Sequence, residues 1–300
     1  MSVPAYRGRF APTPSGPLHF GSLVAALGSY LEARTRAGAW LVRIEDVDPP
    51  RVVAGAEDAI LATLEAFGFE WDGPVMRQSR RAEAYRAALA ALRRDGRVYG
   101  CACSRKQLAE AARRGVDGPV YPGTCRAGHA HDPALAQRFR VPDGRIAFDD
   151  GLLGRVACDV ARECGDFVLR RADGVYTYQL AVVVDDAEQG ISHVVRGADL
   201  LTSTPRQIVL QQVLGLATPA YLHLPVVLDG HGDKLSKQTL ARPVAAAQPL
   251  PALLAAAAFL GLVLPPGLGS VAEFWPVAAG AWPARVLAPV RGRRTNLCKP

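Results

Sequence analysis

The sequence predicts an α/β fold, a parallel sheet flanked by helices. Three observations predict it. Strand-like and helix-like segments alternate over residues 1–98. A Pro/Gly turn, Pro12 to Pro17, joins the first strand to the first helix. The periodicity breaks near Tyr99 and returns at Phe167, so one segment interrupts a continuing fold.

Each element follows from its pattern. Gly8 to Ala11 reads as a short strand. Phe20 to Arg36 reads as a helix, with Leu23, Ala26, Leu27, Tyr30 and Leu31 on one face. Trp40 to Ile44 reads as a second, buried strand, and helices are expected over Gly55 to Phe67 and Arg80 to Arg94. From Tyr99 to Gly165, Cys, Gly, Pro and His occur in irregular order, as in an inserted subdomain. Phe167 to Arg171 resumes the periodic pattern. Gln179 to Val184, apolar after its first residue, reads as a buried strand, Thr204 to Leu214 as a helix, and Leu224 to Leu228 as a strand leading into a lysine-bearing loop. Pro249 to Pro266 is nearly free of polar groups, but it is proline-bounded and short for a membrane span, so a buried helix is expected. The expected division is 1–98 and 166–242 for the two halves of the sheet domain, 99–165 for the insertion, and 243–300 for a short helical C-terminal part.

Composition bounds the function. The 300 residues carry 35 basic and 28 acidic side chains, a formal charge of +7. Such an excess fits a polyanionic partner such as RNA, or simply a solvated arginine-rich surface. Only four basic residues are lysines: Lys106, Lys234, Lys237 and Lys299. Two of these stand three apart in Lys234-Leu235-Ser236-Lys237, where a compact, mobile charge suits a loop. The six cysteines are unevenly spaced in a long chain with no leader-like start, which argues against a secreted disulfide framework. The cytoplasm is the expected compartment, with no membrane partner.

Two segments suit nucleotide chemistry. The turn Pro12-Thr13-Pro14-Ser15-Gly16-Pro17-Leu18-His19-Phe20-Gly21-Ser22 lies between a strand and a helix, where N–H groups and the helix dipole favour phosphate. His19 can donate to a phosphate oxygen, and Gly21 lets a purine lie against the backbone. It is not the dinucleotide fingerprint. The lysine loop, preceded by Asp229-Gly230-His231-Gly232-Asp233, can bring two ammonium groups to phosphates as pyrophosphate leaves.

Together these segments resemble the class I aminoacyl-tRNA synthetases. His19-Phe20-Gly21-Ser22 is similar to their HIGH motif, with Ser in the fourth position as in the glutamate-specific branch, and Lys234 to Gln238 is similar to KMSKS. Arg9-Phe10-Ala11-Pro12-Thr13 and Arg43-Ile44-Glu45-Asp46-Val47-Asp48 resemble segments of glutamyl-tRNA synthetases, and Val195-Arg196-Gly197-Ala198-Asp199-Leu200 resembles their second substrate segment. The resemblance implies a Rossmann-like catalytic sheet with an inserted subdomain. It implies catalytic roles for His19, Lys234 and Lys237, and ATP (with magnesium) at His19, Gly21, Ser22 and Lys237. Glutamate would bind at Arg9, Phe10, Ala11, Pro12, Thr13, Glu45, Tyr178 and Arg196. The residue types suit that ligand: two guanidiniums for two carboxylates, Glu45 for the ammonium, and a Tyr178 hydroxyl. Asp46 and Asp48 are left out of the site.

Cys101, Cys103 and Cys125 cluster in the irregular segment, and clustered thiols in a reducing compartment favour zinc over a disulfide. Spacing alone leaves Tyr121, His129 and His131 open as the fourth ligand. Cys-x-Cys followed by Tyr-x-x-x-Cys resembles the metal site of the glutamyl-Q tRNA(Asp) synthetases, which implies Tyr121 and a structural zinc.

Only residues 239–300 follow Gln238, too few for the helical anticodon-binding region of a longer glutamyl-tRNA synthetase. The glutamyl-Q tRNA(Asp) synthetases share this length. Resemblance to them implies activation of glutamate without tRNA, then transfer to the queuosine base at the wobble position of tRNA(Asp). A truncated glutamyl-tRNA synthetase, an adenylate-forming ligase for a small acceptor and a non-catalytic RNA- or protein-binding paralogue are the alternatives.

Overall fold

A computed structural model describes residues 6–111, 113–115, 118–127, 132, 134–227 and 243–282. The chain opens with β1 (Arg7–Phe10), α1 (Phe20–Arg34), β2 (Ala39–Ile44), α2 (Ala56–Ala66), β3 (Met76–Arg77) and α3 (Ala82–Arg94). It continues through β4 (Val98–Cys101), α4 (Arg105–Ala111), β5 (Arg113–Gly115), β6 (Gly118–Val120), β7 (Ala136–Phe139), β8 (Arg145–Asp150), β9 (Gly154–Asp159) and α5 (Val160–Glu163). It then runs through β10 (Val168–Arg170), α6 (Tyr178–Glu188), β11 (His193–Gly197), α7 (Ser203–Val213), β12 (Ala220–Leu224), α8 (Pro249–Phe259) and α9 (Val271–Ala281).

Helical crossovers make the strands parallel, as a βαβ connection requires. Arg7 stands opposite Ala39 and Phe10 opposite Val42 in the β1–β2 pair, and β2 pairs in parallel with β3. β11 and β12 pair in parallel from His193–Ala220 to Gly197–Leu224, and β12 meets β8 in parallel at Tyr221–Asp150. The two runs join where the Ser192 N–H donates to the Arg7 carbonyl at 3.0 Å and the Arg7 N–H donates to Ser192 Oγ at 2.9 Å.

Alternation along the strands feeds two cores. Val195, Leu222 and Leu224 join the cluster that α1 builds with Leu23, Leu27 and Leu31, and α8 and α9 close it with Leu253, Ala256, Phe274 and Ala278. Val194 and Tyr221 face the other way, against Ile208 of α7. A further cluster packs Tyr85, Leu89 and Leu92 of α3 against Leu180, Ala181 and Val183 of α6.

Three expectations need correction. Gln179 to Val184 lies in helix α6, not a strand. A short apolar run cannot distinguish a buried strand from a helix buried nearly all round, and Leu180, Ala181, Val182 and Val183 are all buried. The strand expected over Leu224 to Leu228 lies earlier, at Ala220–Leu224, where it stops before Pro225, which cannot donate to a ladder; Leu228 is outside the described residues. The Pro249 to Pro266 helix ends at Phe259 and buries one face, through Leu253, Ala256 and Ala257.

The stretch expected to be irregular also contains regular structure. β8 and β9 form an antiparallel hairpin from Arg145–Asp159 to Asp150–Gly154, and β7 pairs with β4 and β10. No described helix is long and apolar enough to cross a membrane.

Candidate active site

Ligands of open α/β sheets bind beyond the carboxyl ends of the strands. At that end, β1 and β2 are tied by the Glu45 N–H donating to the Pro12 carbonyl at 2.9 Å. Phe10 and Pro12 are buried there, and Ala11 and Thr13 are half-buried. α1 then begins at His19, its N-cap, whose Nδ1 accepts the Ser22 N–H at 3.3 Å. That bond leaves Nε2 as the nitrogen able to carry a proton, 3.1 Å from Ser22 Oγ. Gly21 and Ser22 are half-buried in the first turn.

Lys234 and Lys237 lie outside the described residues, but the chain immediately after them returns to this end. Pro243 bridges to His19, and the Val244 N–H donates to the Leu18 carbonyl at 2.9 Å.

A buried charged cluster sits beside the turn. Arg9 donates to Asp186 at 3.0 and 3.4 Å. Arg43 donates to Asp186 at 2.7 Å, to Gln189 Oε1 at 2.8 Å and to Glu45 at 3.3 Å. Burial opposes the Asp186 charge, but Arg43 and Arg9 outweigh it and hold the carboxyl below its ordinary range. At Glu45 burial wins over Arg43 and Arg9, and the carboxyl is pushed up. Glu45 therefore has spare capacity for another cation.

Arg196, on β11, closes the cluster. It is 5% exposed, and among the described residues no carboxylate lies within ion-pair distance of it. Its Nη1 donates to Tyr178 Oη at 3.2 Å and its Nη2 to Thr204 Oγ1 at 2.7 Å. Burial raises the Tyr178 phenol, although Arg196 pulls it down. A buried guanidinium without a counter-ion suits an anionic ligand, because an isolated buried charge is otherwise expensive.

Arg9, Glu45, Tyr178 and Arg196 thus converge. Arg43, Asp186, Gln189, Thr204 and His223, which hold them, were missed by sequence reasoning. Arg43 inside the apolar strand Trp40 to Ile44, and His223 between Leu222 and Leu224, were the available signals. Asp46 accepts from Ser79 at 2.8 and 2.6 Å, and Asp48 pairs with Arg171 at 2.8 Å, so both are already engaged.

Comparison with known proteins shows the family. Residues 5–248 match the family described as tRNA synthetases class I (E and Q), catalytic domain. The chain is 57% identical over 283 residues to the glutamyl-Q tRNA(Asp) synthetase of Chromobacterium violaceum, covering 94% of this chain and 95% of that one. It is 58% identical over 282 residues to that of Dechloromonas aromatica, covering 92% and 94%. The chain belongs to the glutamyl-Q tRNA(Asp) synthetase family.

As an enzyme of this family it also has solved relatives. A glutamate tRNA ligase from Elizabethkingia meningosepticum, solved with its amino acid, is 30% identical with a TM-score of 0.67, covering 78% of this chain and 52% of that one. The glutamate-tRNA synthetase of Elizabethkingia anophelis is 28% identical, also with a TM-score of 0.67, covering 78% and 53%. The chain therefore spans about half the length of these solved relatives.

A second cluster is built from thiols. The sulfurs of Cys101, Cys103 and Cys125 are within 4.8 Å of one another. Tyr121 Oη is 3.5 Å from Cys101 Sγ and 3.8 Å from Cys103 Sγ, and it accepts the Cys125 N–H at 2.7 Å. The Arg138 guanidinium lies over the Tyr121 ring, 3.9 Å from its centroid. Burial opposes a thiolate at Cys101, but hydrogen bonds from Tyr121 and Arg138 bring the thiol down to about 7. Three sulfurs and one oxygen converging in this way fit a four-coordinate metal. His129 and His131 lie outside the described residues.

Proposed function

We propose that this enzyme activates glutamate with ATP to glutamyl-adenylate without tRNA, and transfers the glutamyl group to the queuosine base at the wobble position of tRNA(Asp). The observation that carries the amino-acid half is the buried cluster of Arg9, Glu45, Tyr178 and Arg196. Arg196 and Arg9 take the two carboxylates, Glu45 takes the ammonium, and Tyr178 adds a hydroxyl. Phe10, Ala11, Pro12 and Thr13 supply the wall that leads to the nucleotide.

ATP, with magnesium, lies along His19, Gly21 and Ser22 at the α1 N-terminus. A glutamate carboxylate oxygen attacks the α-phosphorus, an acyl-phosphate bond forms, and pyrophosphate leaves. Lys234 and Lys237 stabilise the developing phosphate charge. A hydroxyl of the queuosine cyclopentene ring then attacks the acyl carbon. AMP leaves, an ester forms, and the hydroxyl proton is released. The work is positioning and charge stabilisation, with no protein nucleophile. The acceptor is supported by the names of the relatives matched over nearly their whole length.

Zinc is the metal that Cys101, Cys103, Cys125 and Tyr121 would hold. Its contribution would be structural, fixing the segment between β4 and β7. The working compartment is the cytoplasm, where charged tRNA is used.

Pyrophosphate exchange into ATP tests the first step: purified enzyme should exchange with glutamate alone. A strict requirement for tRNA(Glu) would exclude this reading. Lys237→Ala should slow exchange about 100-fold while glutamate binding stays within about 3-fold. Equal losses in both would remove the transition-state role.

A further inference from the structure

Arg196 is held from behind by a chain of buried groups. His223 is fully buried in the middle of β12, and its Nε2 accepts the Arg196 Nε–H at 3.3 Å. Thr204 Oγ1, which accepts from Arg196 Nη2, lies 3.0 Å from the same Nε2. On the other side of the ring, His223 Nδ1 is 2.7 Å from Asp150 Oδ2.

The tautomer follows from these contacts. Asp150 also accepts the N–H groups of Leu152 at 3.0 Å, Leu153 at 2.9 Å and His223 at 3.2 Å. A carboxylate surrounded by donors is ionised and can only accept, so the His223 proton sits on Nδ1. A neutral ring then presents a bare Nε2 to Arg196. Burial, with Arg196 beside the ring, outweighs the pull of Asp150 and Asp199 and keeps the imidazole below its ordinary range. The Tyr221 ring lies parallel to the imidazole, with centroids 6.0 Å apart. The other tautomer would set an N–H against the Arg196 N–H.

We propose that Asp150 and His223 are positioning residues of the amino-acid site: they fix the imidazole so that its bare Nε2 aims the Arg196 guanidinium at a substrate carboxylate. The inference rests on the reading of Arg196 as a glutamate ligand. It adds that the fit to glutamate is set two residues behind the ligand, by a carboxylate that never touches the substrate. Thr204 completes the support by occupying Nη2, which leaves Nη1, shared with Tyr178, as the face turned to the ligand.

Two readouts test this. In protein labelled with 15N-histidine, His223 should carry its proton on Nδ1 with Nε2 bare at neutral pH. Asp150→Asn should introduce the Nε2–H form. In glutamate-dependent pyrophosphate exchange, His223→Leu should raise the KM for glutamate at least about 10-fold and leave the KM for ATP within about 2-fold. His223→Gln, whose amide oxygen can replace Nε2, should recover most of that loss. An Nε2–H tautomer in the native protein, an unchanged glutamate KM in His223→Leu, or an equal rise in both KM values would overturn the proposal. If His223→Leu does not fold, the tautomers of the native and Asp150→Asn proteins decide. Absence of glutamate-dependent exchange in the native enzyme would instead refute the reading of the site, and the tautomer would still decide the hydrogen-bond chain.

Discussion

Charge compensation at single residues governs the candidate site. Asp186 serves Arg9 and Arg43 at once, with all three buried. Its depressed carboxyl contributes stability that is fully present above the unfolded value near 3.8 and is lost as pH falls through the lower folded value. Asp186→Asn should therefore destabilise the fold by about 3–5 kcal/mol at neutral pH, by leaving two buried guanidiniums under-compensated. Denaturant melts would show it, and a loss under about 1 kcal/mol would contradict it. Glu45 behaves oppositely. Its raised carboxyl takes up a proton earlier than an ordinary one as pH falls, so glutamate should bind more weakly on the acid side of neutrality. Glu45→Gln should raise the glutamate KM and flatten that pH dependence. Arg9, Glu45, Tyr178 and Arg196 were named from sequence because they lie in segments that resemble the family's and their chemistry mirrors glutamate. Arg43 and His223 were hidden because each sits within a short apolar run, where burial masks its purpose, and Asp186 because it follows a run that reads as a strand.

At the scale of elements, the early alternation of strand and helix was readable because each unit carries its own turn and periodic face. α6 was not. Its apolar run and its two aspartates make sense only once the helix lies against both the sheet and α3, with Asp185 bonded to Tyr85 at 2.6 Å and to Gln78 at 2.9 Å. The thiol cluster depends on a turn far from it in sequence. Gly165 has φ +69, and a Cβ there would lie 2.9 Å from Val120 Cγ1 and 3.1 Å from the Tyr121 nitrogen. Gly165→Ala should displace Tyr121, cost about 1–3 kcal/mol and lower bound metal. Elemental analysis of this variant beside Cys125→Ser checks both claims. Full metal content in Cys125→Ser would remove the thiol cluster as the site.

Across the whole molecule, the C-terminal helices brace α1. α8 and α9 pack on α1, and Trp282 Nε1 donates to Glu32 Oε2 at 2.6 Å, across 250 residues of sequence. Trp282→Phe should lower stability by about 1–3 kcal/mol in a thermal melt, because Glu32 loses a buried donor. Long-range ties of this kind leave no local pattern, so sequence revealed a helix here without its seat.

Transfer of labelled glutamate to tRNA(Asp), with and without queuosine, followed by mapping of the labelled nucleotide, tests the central claim most directly. Label at the wobble base of the queuosine-containing RNA alone is the predicted result. Label at the 3′ end, or equal label on RNA lacking queuosine, would contradict it.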